Sequence, residues 1–311
     1  MEIALTVLQQ VVIMFLLIGV GVIAFQTKII DEHTNRRITG FLLNIVAPAT
    51  IINAFFMEYN AEKLYQLGIA FLLGIASHLI GILLSMLLVR KKGNPLYAAE
   101  RFAAVYSNCG FTALPLCAAV FGAEGVFYAS AYMIVFQFFS WSHGYLQLSG
   151  KSDPKAILKT LHSPAILAVV IGLILFLTQL PIPQVISQTV SYVASLNTPL
   201  AMTVIGCTLA QSPIKDAFCH LRNYYPVFLR NLLIPVVAAV IYALIPGLSE
   251  KLILINILST ACPCAAVIVM FCKQFDKNVD KASQILTLSN IVSVVSIPAV
   301  MFLTQKLTEF L

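Results

Sequence analysis

Long apolar runs, each about as long as a membrane-crossing helix, constrain this chain more than any other feature. A helix needs about 20 mainly apolar residues to cross the hydrocarbon core of a bilayer. Such runs recur along nearly all of the 311 residues, and only 10% of the residues are charged. The runs are continuous rather than alternating, which favours helices over the strands of a membrane barrel. The sequence therefore predicts an all-α membrane protein without a separate soluble domain.

We predict ten transmembrane helices from these runs. The fourth, seventh and ninth runs are interrupted by Pro or Asn, which makes them weaker helix formers. The first run lacks a basic leading segment and a small-residue cleavage site, so we expect a retained span and not a removed signal peptide. The ten predicted spans cover about residues 5–25, 38–57, 64–89, 101–121, 125–148, 163–180, 185–210, 224–245, 252–271 and 283–305.

Basic residues between the predicted spans indicate the orientation of the chain. Fifteen of the 19 Lys and Arg residues fall in alternate loops, and three fall in the other loops and the C-terminal segment. Because cytoplasmic loops are enriched in Lys and Arg, we expect the basic loops inside and both termini outside, in the plasma membrane. The net charge of +6 is spread over five short loops, which argues against nucleic-acid binding.

Ten spans divide into two halves of five, and an odd number in each half gives the halves opposite orientations. We assign residues 1–150 to a first five-helix repeat and residues 151–311 to a second, inverted repeat. Corresponding spans carry matching interruptions, with an Asn shortly before Pro48 in the second span and before Pro199 in the seventh. Both prolines are predicted to break their helices.

A second matched pair of interruptions lies in the fourth and ninth spans. The fourth contains SNCGFTALPL, which includes Pro115, and the ninth contains STACPCAAVI, which includes Pro263. Backbone groups freed by a break cannot face lipid, so such breaks face protein or water. Matched breaks in inverted halves indicate the central site of a transporter, where half-helix N-termini suit an anion such as a carboxylate. The alternative is that each Pro or Gly only kinks its helix.

Three stretches together resemble the auxin efflux carrier family, within the bile-acid/arsenite transporter superfamily: NRRITGFLLNIVAPATIINAF, SNCGFTALPL and ACPCAAVIVMFCKQFD. The resemblance covers nearly the whole chain. It implies ten helices in two inverted repeats, with a scaffold domain from spans 1, 2, 6 and 7. It also implies a transport domain from spans 3–5 and 8–10, in which broken spans 4 and 9 cross.

The same resemblance carries functional expectations. Family members move organic anions by an elevator-type motion of the transport domain, and the family suggests a homodimer. Some bacterial members are malate or malonate permeases. The chain lacks the long central hydrophilic loop of the plant exporters, so it is more similar to the bacterial carriers of small carboxylates.

The resemblance further implies a substrate site where spans 4 and 9 cross. Asn108 is the first candidate, because its amide can donate to a carboxylate, although it could instead cap the half-helix that follows. We expect the anion to lie between Asn108 and the turn of the ninth span. The implied substrate-binding residues are Asn108, Cys109, Gly110, Phe111, Pro115, Cys262, Pro263 and Cys264.

Ionisable residues inside the spans are few. The 13 acidic residues fall in loops, at span ends or near the termini, so no proton relay through a buried carboxylate is predicted. His78 lies mid-span in GIASHLIGILL, and an ionisable residue at that depth is a candidate for proton coupling. The alternative is a neutral histidine bonded to a neighbouring helix. Arg230 is placed near the inner end of its span.

Two other motifs are rejected as cofactor or metal sites. The CPC at Cys262–Cys264 has no His or Cys cluster at metal-binding spacing beside it, so packing around a crossing is expected there. GYLQLSGKS at 144–152 has five residues between its glycines where a phosphate-binding loop has four. We therefore expect neither an enzyme nor a cofactor. A secondary transporter is the leading hypothesis, with a membrane receptor using the same pocket and an ion channel as alternatives.

Overall fold

The computed structural model describes residues 2–151, 153–212 and 214–310. These residues form helices and turns, and the only β-pairing among them is one isolated bridge. The α-helices of the first half are α1 Glu2–Gln26, α2 Glu32–Phe41, α3 Ala47–Ala54, α4 Ala61–Leu88, α5 Tyr97–Val105, α6 Leu114–Phe139 and α7 Tyr145–Ser149.

The remaining helices follow in chain order. They are α8 Pro154–Leu161, α9 Pro164–Thr178, α10 Gln184–Ser195, α11 Asn197–Ala210, α12 Ile214–Cys219, α13 Tyr224–Phe228, α14 Ile234–Ala243, α15 Glu250–Ala261, α16 Val267–Gln274 and α17 Val279–Phe310. Four π-helical turns and one 3-10 turn connect some of them: Leu42–Val46, Cys109–Ala113, Ser140–Gly144, Leu229–Leu233 and, in 3-10 form, Leu221–Asn223.

Seven helical stretches in the described part of the chain are long and apolar enough to cross a membrane. They are Leu5–Gln26, Glu32–Ala54, Ala61–Leu88, Cys109–Ser149, Gln184–Ala210, Leu221–Ala243 and Val279–Phe310. These stretches confirm an all-helical, multi-pass membrane protein. The arrangement as ten helices in two inverted repeats stays a prediction.

The difference between the seven observed stretches and the ten predicted spans has local causes. The 41-residue stretch Cys109–Ser149 contains Gly122 at φ 64° and ψ −153°, a non-helical conformation where the sequence predicts a loop. The apolar helix Pro164–Thr178 has only 15 residues. The predicted ninth span is divided between α15 and α16. The first of these segments joins two predicted spans into one stretch, and the other two are too short or too divided to count as a crossing helix.

Backbone contact joins α1 and α11 closely. A Cβ atom at Gly206 would lie 2.1 Å from the carbonyl oxygen of Ile18, and one at Gly21 would lie 2.3 Å from that of Thr203. The Cys207 thiol donates to the Gly21 carbonyl at 3.3 Å. Glycine is needed at both positions because any side chain would push the helices apart.

Three of the π-turns end two residues before a proline, at Pro48, Pro115 and Pro235. A proline inside a helix lacks an N–H donor and its ring clashes with the carbonyl four residues earlier. The wider π-turn relieves this clash and lets the helix continue. Asn44, Thr112 and Asn231 lie within the three turns.

The predicted helix break at Pro48 is therefore wrong. The N–H of Ala47 bonds to the carbonyl of Leu42 in the π-turn, and the helix runs on to Ala54. Pro199 lies in the first turn of α11, where a missing N–H costs little. The interruption in that span is confined to Leu196, between α10 and α11.

Candidate functional site

The two interrupted segments meet through their main chains. After α5 ends at Val105, the N–H of Asn108 donates to the carbonyl of Pro263 at 2.7 Å, and the N–H of Ala265 donates to the carbonyl of Tyr106 at 2.9 Å. Ser107 and Cys264 form the antiparallel bridge between these two bonds. The sequence correctly predicted interruptions in the fourth and ninth spans, and each break supplies partners for the other's freed backbone groups.

Ser289 and Asn231 satisfy a further backbone group at this crossing. The N–H of Cys264 donates to Oγ of Ser289 at 2.9 Å, and that hydroxyl donates to Oδ1 of Asn231 at 2.7 Å. Nδ2 of Asn231 returns a bond to the Ser289 carbonyl at 2.9 Å. Because unpaired polar groups are costly in a medium of low dielectric, these closed contacts fix the break of the ninth predicted span.

Arg230 donates hydrogen bonds to backbone carbonyls at the ends of two helices. Its side chain is 1% exposed and lies beside Asn231 in the π-turn Leu229–Leu233. Nη1 donates to the carbonyls of Ala104 at 3.2 Å and Val105 at 2.5 Å, and Nη2 donates to the carbonyl of Thr260. These carbonyls belong to the last turns of α5 and α15.

The sequence analysis was wrong to place Arg230 near the inner end of its span. The structure places it at the crossing, in contact with both half-helices. The signal was present in the sequence, because VFLRNLLIPVV carries an arginine and an asparagine inside an apolar run, five residues or fewer before a proline. An ionisable residue in such a run is by default a functional candidate.

Helix ends and the Arg230 guanidinium bring charges of both signs to the crossing. Each helix C-terminus is equivalent to about −0.5 elementary charge, so the ends of α5 and α15 together amount to about −1, which the Arg230 guanidinium offsets. The N-terminal ends at Cys109 and Val267 each carry about +0.5, and neither first turn contains an acidic residue or receives a bond from its N-cap side chain. The crossing therefore retains a net positive potential.

The predicted residues of the first crossing segment are gathered there. Asn108 is 5% exposed, and its side chain makes no capping bond to the turn that follows, which disfavours the purely local role. A Cβ at Gly110 would meet no atom within 4 Å, so open space lies beside this part of the backbone. Phe111 is partly buried and Pro115 is buried in the first turn of α6.

The predicted residues of the second segment are packed inside the protein. Cys262, Pro263 and Cys264 are buried, and the two thiols donate to the carbonyls of Leu258 at 3.3 Å and Ala265 at 3.7 Å. The main chains of Asn108 and this turn are in direct contact, and open space lies beside the pairing at Gly110. The expected anion position stays a prediction.

A narrow cleft lies next to the first crossing segment. One wall is apolar and comes from α1 and α11, and the other carries three polar side chains from the second π-turn and α17. The lining residues are Val11, Met14, Phe15, Ile18, Met202 and Ile205 on the first wall, and Thr112, Leu116, Asn290, Ser293 and Ile297 on the second.

Thr112 is the polar residue that links the cleft to the crossing. It is 8% exposed, and its hydroxyl has no hydrogen-bond partner within the described residues. Asn290 and Ser293 use donors on α17 itself, Nδ2 to the Leu286 carbonyl at 2.8 Å and Oγ to the Asn290 carbonyl at 2.6 Å. Sequence reasoning missed Asn290 and Ser293, since isolated Asn and Ser residues in an apolar run give no signal of what they face.

His78 lies in a buried aromatic setting on α4. Its Nδ1 is 2.7 Å from the Gly74 carbonyl, which can only accept, so Nδ1 carries the proton. Nε2 has no partner within the described residues, and the ring lies 4.9 Å from that of Tyr132 and 5.5 Å from that of Phe139. This geometry fits a neutral ring that is bonded within its own helix.

A buried polar network runs beside His78 towards the crossing. Oγ of Ser77 donates to Oδ1 of Asn256 at 2.7 Å and lies 2.7 Å from Oη of Tyr242. Thr260, whose carbonyl accepts from Arg230, also donates its hydroxyl to Oγ of Ser77 at 3.2 Å. This network ties α4, α14 and α15 together.

Comparisons with known proteins agree with this architecture. A match to the family described as "Membrane transport protein" covers residues 6–301. The chain is also 25% identical over 312 residues to an "Uncharacterized transporter" of Methanothermobacter thermautotrophicus, with 96% of each chain covered. Transporters rather than enzymes make up this family. The protein therefore belongs to the membrane transport protein family, the auxin efflux carrier family that its crossing motifs resemble.

Proposed function

We propose that the protein is a secondary transporter of a small organic anion, a carboxylate such as malate or malonate, working by an elevator-type motion. The observation that carries this proposal is the charge balance at the crossing. Arg230 offsets the two carbonyl ends, so the positive ends at Cys109 and Val267 remain for a ligand. An anion is the ligand that this potential favours.

The carboxylate would bind beside the main-chain pairing, at the start of the second π-turn. Open space at Gly110 lets an anion approach the backbone there, and the free hydroxyl of Thr112 belongs to the same turn. The amide of Asn108 can supply another donor. The rest of the substrate would extend into the cleft, towards Asn290 and Ser293.

The two unlike walls of the cleft support an elevator-type motion. The polar groups are all on the side of the crossing, whereas α1 and α11 present only apolar side chains. A domain that carries its ligand contacts with it can slide along an apolar wall without breaking hydrogen bonds to that wall. This division agrees with a scaffold from predicted spans 1, 2, 6 and 7 and a transport domain from spans 3–5 and 8–10.

Counterflow in proteoliposomes tests this proposal. Vesicles loaded with malate or malonate should accumulate the same labelled anion from outside, and Asn108→Ala should weaken apparent affinity about 10- to 100-fold, the loss of one charge-assisted hydrogen bond. Asn44→Ala is the matched control, because the Asn44 amide is exposed and donates only to the Gly40 carbonyl at 2.7 Å.

The outcomes separate the alternatives. A receptor that uses the same pocket would bind the anion but show no counterflow, and a channel would show a conductance far above the turnover of a carrier. Unchanged affinity and unchanged uptake in Asn108→Ala across a panel of carboxylates would exclude the proposed site.

A further inference from the structure

The three carbonyl oxygens bound by Arg230 form a cation-binding arrangement. The Ala104 and Val105 carbonyls end α5, and the Thr260 carbonyl lies at the end of α15. In membrane transporters, carbonyls at the C-terminal ends of interrupted helices are among the groups that hold coupling cations such as Na⁺. Oxygen ligands converging from two negative helix ends suit any small monovalent cation.

The arrangement contains no carboxylate. Arg230 forms no ion pair with an acidic side chain in the described part of the chain, where the ion pairs are Arg222 with Glu100, Lys251 with Glu124 and Lys306 with Glu309. A buried guanidinium is expensive unless its charge is offset. Here backbone carbonyls offset the charge of Arg230. These carbonyls at the helix ends are therefore the groups that a positive charge stabilises.

We propose that this crossing is a monovalent-cation site that the chain fills with its own Arg230 side chain. The tethered guanidinium holds the two half-helices together in every state of the cycle, so no Na⁺ or K⁺ has to bind there. Anion binding and transport are consequently independent of those cations at this position. The statement about transport rests on the proposed function, whereas the statement about the site does not.

Direct substrate binding by Arg230 is a weaker reading of the same contacts. The side chain is 1% exposed, and both terminal nitrogens are used by carbonyls. Only Nε lacks a partner among the described residues, and it is buried. Arg230 does not line the cleft. Its effect on the anion is therefore exerted through the helix ends.

Thermal unfolding of the purified protein tests the site without any substrate. At about 150 mM salt, the Tm of the wild-type protein should be the same in NaCl, KCl and N-methylglucamine chloride. Arg230→Ala should lower Tm by about 5–10 °C, because it leaves three carbonyls and two helix ends without a positive charge. Guanidinium chloride at about 10 mM, or NaCl, should restore part of that loss, and N-methylglucamine should not, since it is too large for the vacated space.

Arg101→Ala is the matched control. The Arg101 guanidinium also donates to carbonyls at a helix end, those of Met86 at 3.1 Å and Val89 at 2.9 Å, but it is partly exposed, so water can replace it. Its variant should show no rescue that depends on the cation. An Arg230→Ala protein whose Tm ignores cation identity would overturn the proposal.

Wild-type measurements decide the matter even if Arg230→Ala does not fold. A wild-type Tm that rises in Na⁺ relative to N-methylglucamine at equal ionic strength contradicts a site already filled by arginine, and an equal Tm supports it. Failure of the proposed transport function would appear in counterflow and leave these unfolding results unchanged. Cation-independent counterflow in the wild-type protein would extend the result to the transport cycle.

Discussion

Thr112 and Thr287 are two buried threonines whose hydroxyl groups have no hydrogen-bond partner in the described part of the chain. Thr112 lines the cleft beside the crossing, whereas Thr287 lies on α17 outside it and is 1% exposed. A buried hydroxyl without a partner destabilises a protein unless a ligand or water uses it. Comparison of the two threonines therefore tests whether the Thr112 hydroxyl contacts the substrate.

Thr112→Val should weaken carboxylate binding about 10-fold, because it removes one donor and keeps the shape of the side chain. Thr287→Val should leave affinity unchanged and leave Tm the same or slightly higher. Titration of the purified variants with malate and malonate, followed by thermal shift, measures both effects. Equal losses of affinity in the two variants would contradict a role for Thr112 in the cleft.

We propose His78 as the residue that couples transport to protons, since its unpaired Nε2 is the atom that can accept one. His78→Gln should reduce uptake driven by an inward proton gradient, because glutamine cannot accept the proton that Nε2 could take. Uptake driven by an imposed pH gradient across proteoliposomes measures this. His162→Gln, at an exposed position, is the control, and equal gradient-driven uptake by wild type and His78→Gln would exclude the coupling role.

At the residue scale, the sequence identified the crossing but not its electrostatics. Asn108 and the CPC turn carry an unusual composition, which made them visible. Arg230 was also recognisable in the sequence. Its position along the span could not be predicted, because the end of a span is uncertain by several residues. Ser289 is one of many serines in apolar runs, and only the fold shows that its hydroxyl accepts from Cys264.

At the scale of helices, the prolines predicted the interruptions with mixed success. The breaks in the fourth and ninth predicted spans are real, since α5 ends at Val105 and α15 ends at Ala261. Pro48 does not break its helix, because the preceding π-turn takes up the strain. Proline chemistry alone cannot distinguish these outcomes, because the freed carbonyls are satisfied by tertiary contacts that the local sequence does not contain.

Helix pairing provides a stability prediction. Gly206→Ala should lower Tm by roughly 2–10 °C, because its Cβ would lie 2.1 Å from the Ile18 carbonyl and force α1 and α11 apart. Gly19→Ala on α1 is the control, since a Cβ there would meet nothing within 4 Å. Thermal unfolding of the two variants makes the comparison. A Gly206→Ala protein as stable as Gly19→Ala would show that the helices are not in tight contact.

At the scale of the whole molecule, the charge distribution gave a complete topology proposal, with both termini outside. The seven long apolar stretches fit a multi-pass protein, but they do not count the interrupted segments. Composition and length predict a multi-pass protein but not an inverted repeat, because two halves can share a fold and still share little sequence. The pairing of the two interrupted segments is the structural feature closest to such a relation.

Cys219 offers a direct test of the orientation. It is exposed, the other six cysteines are buried, and it is the last residue of α12, in a connection that we propose to be cytoplasmic. A membrane-impermeant maleimide should label it in inside-out vesicles and not in intact cells. Glu58→Cys in a Cys219→Ser background is the control and should show the opposite pattern. Labelling of Cys219 from outside would reverse the proposed topology.

The joint between the two interrupted segments consists of main-chain atoms, since Asn108 and Ala265 contribute N–H groups and Pro263 and Tyr106 contribute carbonyls. Such a joint tolerates exchange of the side chains around it far better than one built from side-chain contacts. In the transport mechanism that we propose, substitutions at positions 108 and 112 would therefore change substrate preference and leave the joint intact. Libraries randomised at these two positions should yield many folded carriers with altered cargo.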